Sequence, residues 1–286
     1  MNGSLLARWR RRWWRPDPTA LSAYEGLRPI TLITGGSEGI GFALAQRFAS
    51  HGHELLLVAR TAEKLAQAQR ALAATSRAQV HTLALDITSD QAIERIDAEL
   101  RKLGGLCDVL VNCAGIGLSG PFADEPEEKV TALVDLNVRA LTRLTSHYLR
   151  PMLVRGEGGI LNLASVGSYG PGPNQAAYYA SKAYVLSLTE AIGYETAGMG
   201  IRVCALAPGP VRTGFHARMG ARRALYRAFT PPVSPALVAW LGFWGYRLGA
   251  RVVWPGLVTP LAALSMRLIP HRLLNPIVST LLSPRR

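Results

Sequence analysis

The sequence predicts an α/β fold, a single doubly wound domain in which a parallel sheet carries helices on both faces. Short, continuously apolar runs alternate with longer amphipathic stretches between Pro29 and Pro208. Such runs are typical of strands that are buried on both faces, as they are in parallel sheets. With 286 residues, of which 49% are apolar, the chain is long enough to bury one large core.

Predicted strands and helices follow one another in a regular order. Six apolar runs are expected to form strands: ITLIT, ELLLVA, VHTLAL, CDVLVN, GILNLAS and IRVCALA. The stretches 61–75 and 127–154 between them are amphipathic at helical spacing. Beyond residue 213 we expect Pro-punctuated helices over 235–248, 257–269 and 271–282, and a short strand at 251–254 that closes one edge of the sheet.

A glycine-rich loop connects the first strand to a helix that we predict over 39–51. It reads TGGSEGIG from Thr34 to Gly41. Phosphate groups need a backbone that they can approach closely, and a helix N-terminus behind it supplies free N–H groups and a positive dipole end. The spacing departs from G-x-G-x-x-G, but the position between a strand and a helix predicts a Rossmann-type dinucleotide site.

The end of the second strand favours NADP(H) over NAD(H). In a Rossmann-type site an acid at this point bonds the ribose 2′-OH of NAD, whereas a nearby Arg accepts the 2′-phosphate of NADP. Here Ala59 stands where the acid would be, and Arg60 follows it. The Arg60 guanidinium can hold a phosphate through two hydrogen bonds. The three cysteines show no metal-ligand spacing, and no metal is expected.

The glycine loop is the first of five ordered motifs in which the chain resembles the short-chain dehydrogenase/reductase family, and within it a bacterial subgroup of general short-chain dehydrogenases. The others are LDIT at 85–88, NCAG at 112–115, YYASK at 178–182 and PGPVRT at 208–213. Two positions depart from the family pattern. Cys113 replaces a second Asn, and Glu38 stands where NADP-using members often carry a basic residue.

The resemblance implies cofactor contacts along these motifs and at Arg60. LDIT looks like the family's adenine-contacting turn, and PGPVRT resembles the loop beside the nicotinamide. The implied contacts are Gly35, Ser37, Glu38, Gly39, Ile40, Gly41, Arg60, Asp86, Ile87, Asn112, Ala114, Gly115, Tyr178, Lys182, Pro208, Val211 and Thr213.

The resemblance also implies a reactive centre that reduces a carbonyl or oxidises an alcohol. Tyr178 and Lys182 stand four residues apart, so that they share one helix face. Tyr178 is expected to give a proton to the carbonyl oxygen, and the charge of Lys182 is expected to lower its pKa by roughly two to three from about 10. Ser165 would orient that oxygen, and Asn137 resembles the Asn that joins Lys182 to a proton-relay water.

The net charge of +13 is concentrated at the two ends of the chain. Residues 1–28 contain six Arg and two acids, and twelve Arg but no acid follow Glu195.

In the N-terminal arm, Leu5, Leu6, Trp9 and Trp13 recur at helical spacing beside a stripe of Arg8, Arg12 and Arg15. This pattern is typical of a helix that lies on an anionic membrane surface. A disordered tail, solvated basic faces and an acidic carrier are open alternatives, and nucleic acid is disfavoured because charge alone suggests it.

No stretch reads as a signal peptide or a membrane-spanning helix. Three cysteines in apolar runs suit a reducing compartment, so a cytoplasmic location is expected, peripheral on the inner face of the membrane if the basic ends bind it. Cys113 is interpreted as a small apolar core residue in preference to a thiol nucleophile.

These observations divide the chain into a basic arm at 1–28, an NADP-binding catalytic domain at 29–213, and a substrate lid with helical extension at 214–286. The function expected is reduction or oxidation of a hydrophobic acyl-, lipid- or steroid-like substrate, free or carrier-linked, by a homo-oligomer. The alternative is a non-catalytic NADP-binding redox sensor or scaffold. The presence of Ser165, Tyr178, Lys182 and Asn137 favours the enzyme, because a sensor would need only the glycine loop.

Overall fold

Seven parallel strands form the sheet on which the rest of the chain is arranged. The computed structural model describes residues 21–221, 225, 231–256 and 258–283, so the predicted arm helix lies outside the described residues. The strands are β1 (Arg28–Thr34), β2 (Glu54–Ala59), β3 (Val80–Ala84), β4 (Gly105–Asn112), β5 (Gly158–Leu163), β6 (Ile201–Leu206) and β7 (Val252–Val253). Their order is β3-β2-β1-β4-β5-β6-β7. Every neighbouring pair is parallel, which confirms the doubly wound α/β fold.

Helices cover both faces of this sheet. They are α1 (Gly39–Ser50), α2 (Ala62–Ala73), α3 (Ala92–Lys102), α4 (Glu127–Val134), α5 (Leu141–Arg155), α6 (Ala176–Glu195), α7 (Phe215–Arg218), α8 (Pro235–Arg247), α9 (Thr259–Leu268) and α10 (His271–Leu282). A π-helical segment, Asp135–Ala140, joins α4 to α5. None of the described helices has the length and apolar character that crossing a bilayer requires.

The continuous apolar runs are explained by burial on both sides. Leu55 and Leu57 of β2 belong to the core beneath α1, α2 and α8, whereas Leu56 and Val58 belong to the core beneath α3 and α5. This division follows from the alternation of side chains along a strand. The rings of Phe48 in α1 and Phe243 in α8 meet edge to face with centroids 5.0 Å apart, which seats the first C-terminal helix on the sheet domain.

The strand order places a crevice between β1 and β4. The chain runs from β1 to β3 in one direction and from β4 to β7 in the other, so the connections after β1 and β4 diverge. Doubly wound sheets bind ligands at this switch point, outside the carboxyl ends of the strands. The glycine loop follows β1 and the NCAG segment follows β4, so both motifs meet there.

Candidate active site

A cavity of about 640 Å³ opens at the carboxyl ends of β1 and β4. Its walls contain every predicted site residue except Asn112 and Asn137. The predicted residues that line it are Gly35, Ser37, Glu38, Gly39, Ile40, Gly41, Arg60, Asp86, Ile87, Ala114, Gly115, Ser165, Tyr178, Lys182, Pro208, Val211 and Thr213. The fold thus brings together residues that lie far apart in sequence.

The glycine loop has the geometry of a diphosphate cradle. Gly35 and Gly39 have φ values of +68° and +60°, which side-chain-bearing residues rarely adopt. A Cβ on Gly35 would lie 2.9 Å from the backbone N of Ala114, so the loop packs directly on the segment after β4. Helix α1 begins at Gly39, and Glu38 at the N-cap position makes no side-chain capping bond. The first-turn N–H groups therefore suit an anionic ligand, and these residues fit a dinucleotide.

Glu38 lies between two cations in the part of the cavity wall that also contains Arg60. Its carboxylate accepts hydrogen bonds from Lys64 Nζ at 2.9 Å and from Arg218 Nη2 at 2.6 Å. The hydrogen bond from Lys64 and the charge of Arg218 outweigh partial burial and hold the pKa of Glu38 below its usual value. Neither cation was predictable as a site residue from sequence, since Lys64 comes from α2 and Arg218 from α7. The exposed Arg60 lies in the same wall, where its charge acts on Asp86.

Asp86 forms a tight turn at the end of β3. Its Oδ1 accepts hydrogen bonds from Thr88 N at 2.9 Å and from Thr88 Oγ1 at 2.7 Å. Burial opposes ionisation of Asp86, but these hydrogen bonds and the charge of Arg60 outweigh it and lower the pKa of Asp86. The turn lies beside Arg60 in the same wall, where the family resemblance places the adenine.

Tyr178 and Lys182 project from the first turns of α6 towards Ser165. Lys182 Nζ donates a hydrogen bond of 2.7 Å to the Leu163 carbonyl and lies 5.9 Å from the centroid of the Tyr178 ring. Ser165 lies two residues after β5 and caps a short 3-10 turn, Val166–Tyr169, in a capping box in which Gly167 N donates to Ser165 Oγ at 3.1 Å. Ser168 Oγ of the same turn donates to the Lys182 carbonyl at 2.8 Å, which fixes this turn to α6.

The expected lowering of the Tyr178 pKa is wrong for this structure. Burial raises the pKa of Tyr178 to about 12, and only a hydrogen bond with Ser165 acts in the opposite direction. Burial also lowers the pKa of Lys182 to about 8, with the neighbouring Cys113 opposing it. The attraction between the Lys182 ammonium and the Tyr178 phenolate is smaller here than the cost of burying each charged group, and this cost is not visible in the sequence.

Asn112 and Asn137 lie behind the cavity wall. Asn137 Oδ1 accepts from Ile116 N at 3.0 Å, and its Nδ2 donates to Ile116 O at 2.8 Å and to Ser181 Oγ at 3.1 Å. A Cβ on Gly115 would lie 3.1 Å from Asn137 Oδ1 and 3.6 Å from Lys182 Nζ. Asn137 therefore holds the backbone after Gly115 against α6. Asn112 is predicted to contact the cofactor, but its Nδ2 donates to Thr145 and Asn162 within the buried layer.

The remaining wall is apolar and comes from residues 214–286, the segment predicted to form a substrate lid and a helical extension. Met266 of α9 and Val278 and Leu282 of α10 line the cavity. On the lid side, the Phe215 ring lies 5.6 Å from the Tyr178 ring, centroid to centroid. The helical periodicity of α9 and α10 was visible in the sequence, but the direction of their apolar faces was not.

Two further cavity residues have distinctive polar groups. Gln175, at the N-cap position of α6, is 4% exposed, and its Nε2 has no hydrogen-bond partner among the residues that the structure describes. Cys113 also lines the cavity, and burial raises its pKa to about 12, which agrees with its interpretation as an apolar residue in preference to a nucleophile. Within the described ranges, no three His, Cys, Asp or Glu side chains are grouped to hold a metal ion.

Known proteins resemble this chain in sequence and in fold. The model of the short chain dehydrogenase family matches residues 29–224. Sulfoacetaldehyde reductase 2 of Chromohalobacter salexigens is 36% identical over 230 residues, which cover 78% of this chain and 90% of that protein. The NADPH-dependent 1-acyldihydroxyacetone phosphate reductase of Schizosaccharomyces pombe is 34% identical over 186 residues, 64% of this chain and 60% of that protein. A short-chain dehydrogenase from Sphingobium yanoikuyae in complex with NADPH matches with a TM-score of 0.74 at 31% identity, over 83% of this chain and 92% of that one.

The doubly wound sheet, the glycine cradle and the Ser165, Tyr178 and Lys182 group define an NAD(P)-dependent oxidoreductase. The family match covers more than half of the chain. The chain belongs to the short-chain dehydrogenase/reductase family, as its five motifs predict.

Proposed function

We propose that this enzyme uses NADP(H) to interconvert a hydrophobic carbonyl compound and its alcohol, with Tyr178 as general acid and base. The observation that carries the proposal is the meeting of Ser165, Tyr178 and Lys182 in one cavity with the glycine cradle. A redox sensor or scaffold would have no use for this group. The complete group therefore favours the enzyme over the non-catalytic alternative.

Each side chain has a defined task in carbonyl reduction. When bound, NADPH supplies the hydride that adds to the carbonyl carbon. Tyr178 gives its hydroxyl proton to the carbonyl oxygen, so that the C=O group becomes CH–OH. Ser165 donates a hydrogen bond to the same oxygen and holds it near Tyr178. The positive charge of Lys182 stabilises the tyrosinate until a proton returns, and Asn137 holds the adjoining backbone. The reverse sequence oxidises an alcohol.

Charge at the ribose end supports NADP(H) over NAD(H). Lys64 and Arg218 flank Glu38, and Arg60 lies beside Asp86, so three cations and two acids leave a net positive charge at this end of the cavity. A phosphate monoester carries about −1.5 to −2 at neutral pH, so this positive charge favours the 2′-phosphate. The S. pombe and Sphingobium relatives carry NADPH in their names, in agreement with this preference.

The substrate that best fits this cavity is largely apolar and carries one polar atom in addition to the oxygen of the reacting carbonyl group. Phe215, Met266, Val278 and Leu282 offer apolar contacts. The buried Nε2 of Gln175 needs an acceptor, because an unsatisfied buried donor costs about 1–3 kcal/mol. A long-chain ketone with an additional carbonyl or hydroxyl oxygen meets both conditions. An acyl- or carrier-linked keto compound belongs to this class, and one relative is named a 1-acyldihydroxyacetone phosphate reductase.

The proposal also covers the location of the enzyme and its oligomeric state. We place it in the cytoplasm as a homo-oligomer, with its basic ends attracted to an anionic membrane. Twelve Arg and no acid after Glu195 support this attraction.

The first test combines a substrate screen with Tyr178→Phe. Purified protein is offered a panel of long-chain keto compounds with NADPH, and absorbance reports oxidation of the cofactor. Tyr178→Phe removes only the hydroxyl, so turnover should fall by about 10²–10⁴-fold while NADPH affinity stays nearly unchanged.

The matched control is Tyr179→Phe, which alters the adjacent residue of the same helix. It should leave turnover within a few-fold of wild type. Retention of more than a tenth of the wild-type rate in Tyr178→Phe would contradict the proposed proton donor.

A further inference from the structure

The outer sides of α9 and α10 carry apolar side chains that remain in contact with solvent. Leu261, Leu264 and Leu268 form one stripe along α9 and are 66%, 53% and 70% exposed. Leu273 and Ile277 continue on α10 and are 66% and 58% exposed. One exposed Leu is ordinary, but repeated exposure at helical spacing marks an interaction surface. We call these five residues the α9–α10 face.

The inner sides of the same two helices form the wall of the active-site cavity. Ala262 and Met266 of α9 and Val278 and Leu282 of α10 line it. Leu274, Val278 and Leu282 also pack on Tyr179, next to the proposed proton donor. One layer of helix, about 10 Å thick, therefore separates the reacting groups from whatever contacts the α9–α10 face.

Charge shows which partner suits this face. Arg267 and Arg272 are exposed at the turn between the two helices, and the chain has no acid from Thr196 to its end. A second copy would bring like charges together in a symmetric contact, whereas an anionic bilayer would attract both arginines. The helices have 10 and 12 residues, which suits helices that lie in the membrane interface.

We propose that the α9–α10 face binds the surface of an anionic lipid bilayer and that the substrate passes from the bilayer into the cavity beside these helices. The substrate is then a ketone or alcohol that dissolves in the membrane. This second part rests on the oxidoreductase function proposed above, and the first part does not. Asn174 Nδ2 donates to Ser283 Oγ at 3.3 Å, which joins the end of α10 to the loop before α6.

Vesicle binding tests the surface. Full-length protein is mixed with vesicles of phosphatidylcholine alone or with about 30% phosphatidylglycerol at low salt, and bound protein is sedimented. Wild type should bind only the anionic vesicles. The double variant Leu268→Ser, Leu273→Ser should bind them at least tenfold more weakly with unchanged thermal stability, because both side chains are exposed.

Leu248→Ser is the matched control. Leu248 is 82% exposed but lies between α8 and β7, at the amino-terminal edge of the sheet and opposite to α9 and α10. It should bind vesicles like wild type. Absence of wild-type binding, or equal binding by the double variant, would overturn the proposal. A lower molar mass of the double variant by light scattering, with vesicle binding retained, would assign the face to a second copy and overturn it too.

The substrate route is tested with two ketones found in the screen, one water-soluble and one incorporated in the vesicles. The double variant should keep the wild-type rate on the soluble ketone and lose at least tenfold on the vesicle-borne one. Equal rates of both proteins on the vesicle-borne ketone would contradict the route. If neither protein reduced any ketone, the proposed function would fail, and the vesicle-binding result would still decide the membrane contact.

Discussion

The Lys182 ammonium group is buried at the reactive centre, where it bonds the Leu163 carbonyl. Burial without an acidic partner disfavours its charged form, and its pKa falls from 10.5 to about 8. That shift corresponds to a penalty on the order of 3 kcal/mol. The bond to the Leu163 carbonyl does not offset this cost, so we attribute the presence of a lysine at this position to its role in the reaction. In the proposed mechanism, its charge is needed only when Tyr178 loses its proton.

Lys182→Met should therefore stabilise the cofactor-free protein at neutral pH. Below about pH 8 the lysine is protonated in both the folded and unfolded states, and the folded state carries the full penalty. As pH rises from 8 towards 10.5, folded Lys182 loses its proton first, so the wild-type free energy of unfolding approaches that of the variant. The difference between the two proteins should shrink by on the order of 2 kcal/mol between about pH 7 and 9.5.

Urea unfolding of both proteins at the two pH values measures this difference. The cysteines begin to ionise in the unfolded state within this range, but they are common to both proteins and cancel in the comparison. A difference that stays constant with pH would show that Lys182 is not the group whose charge is disfavoured.

At the scale of elements, the lid and the glycine loop are joined through Glu38. Arg218 belongs to the short helix α7, Lys64 to the first turn of α2, and Glu38 to the residue before α1. All three side chains are largely exposed, so the ion pairs add little to stability. These ion pairs instead hold two cations at the end of the cavity where we propose that the cofactor ribose binds. This arrangement accounts for an acid at a position where NADP-using relatives often carry a base.

Lys64→Gln and Arg218→Gln should each weaken binding of adenosine 2′,5′-bisphosphate by roughly threefold to tenfold, since each removes a cation from the phosphate corner. Binding of 5′-AMP, which lacks the 2′-phosphate, should change little. Isothermal calorimetry gives both affinities without any substrate.

Arg212→Gln is the control for long-range charge effects. It removes an exposed Arg from the segment that leads to the lid, and Arg212 does not line the cavity. Equal losses in Arg212→Gln and Arg218→Gln would mean that overall charge, and not contact with the phosphate, governs affinity.

At the scale of the whole molecule, features with a local signal were predictable. The apolar runs predicted the strands of the sheet, because burial on both faces requires several consecutive apolar residues. The glycine loop predicted the phosphate-binding loop, because close approach of a phosphate requires glycines within a few residues of one another. The ion-pair partners of Glu38 have no local sequence pattern, since Arg218 is distant in sequence and approaches Glu38 only in the folded protein. The pKa direction of Tyr178 was missed for the same reason, because desolvation depends on elements that pack from elsewhere. The cavity-facing sides of α9 and α10 likewise needed the packed structure.

The preference for NADPH over NADH should also appear in the thermal stability of the whole protein. A tenfold difference in affinity corresponds to about 1.4 kcal/mol, and a bound ligand adds its binding free energy to that of unfolding. At equal saturating concentrations, NADPH should therefore raise the Tm by roughly 2 to 4 °C more than NADH does. Arg60→Ala should remove most of this difference, because Arg60 lines the ribose end of the cavity without an acid at position 59. Differential scanning fluorimetry of both proteins with each cofactor measures the effect. Equal shifts of wild type with NADPH and NADH would contradict the assignment of NADP(H).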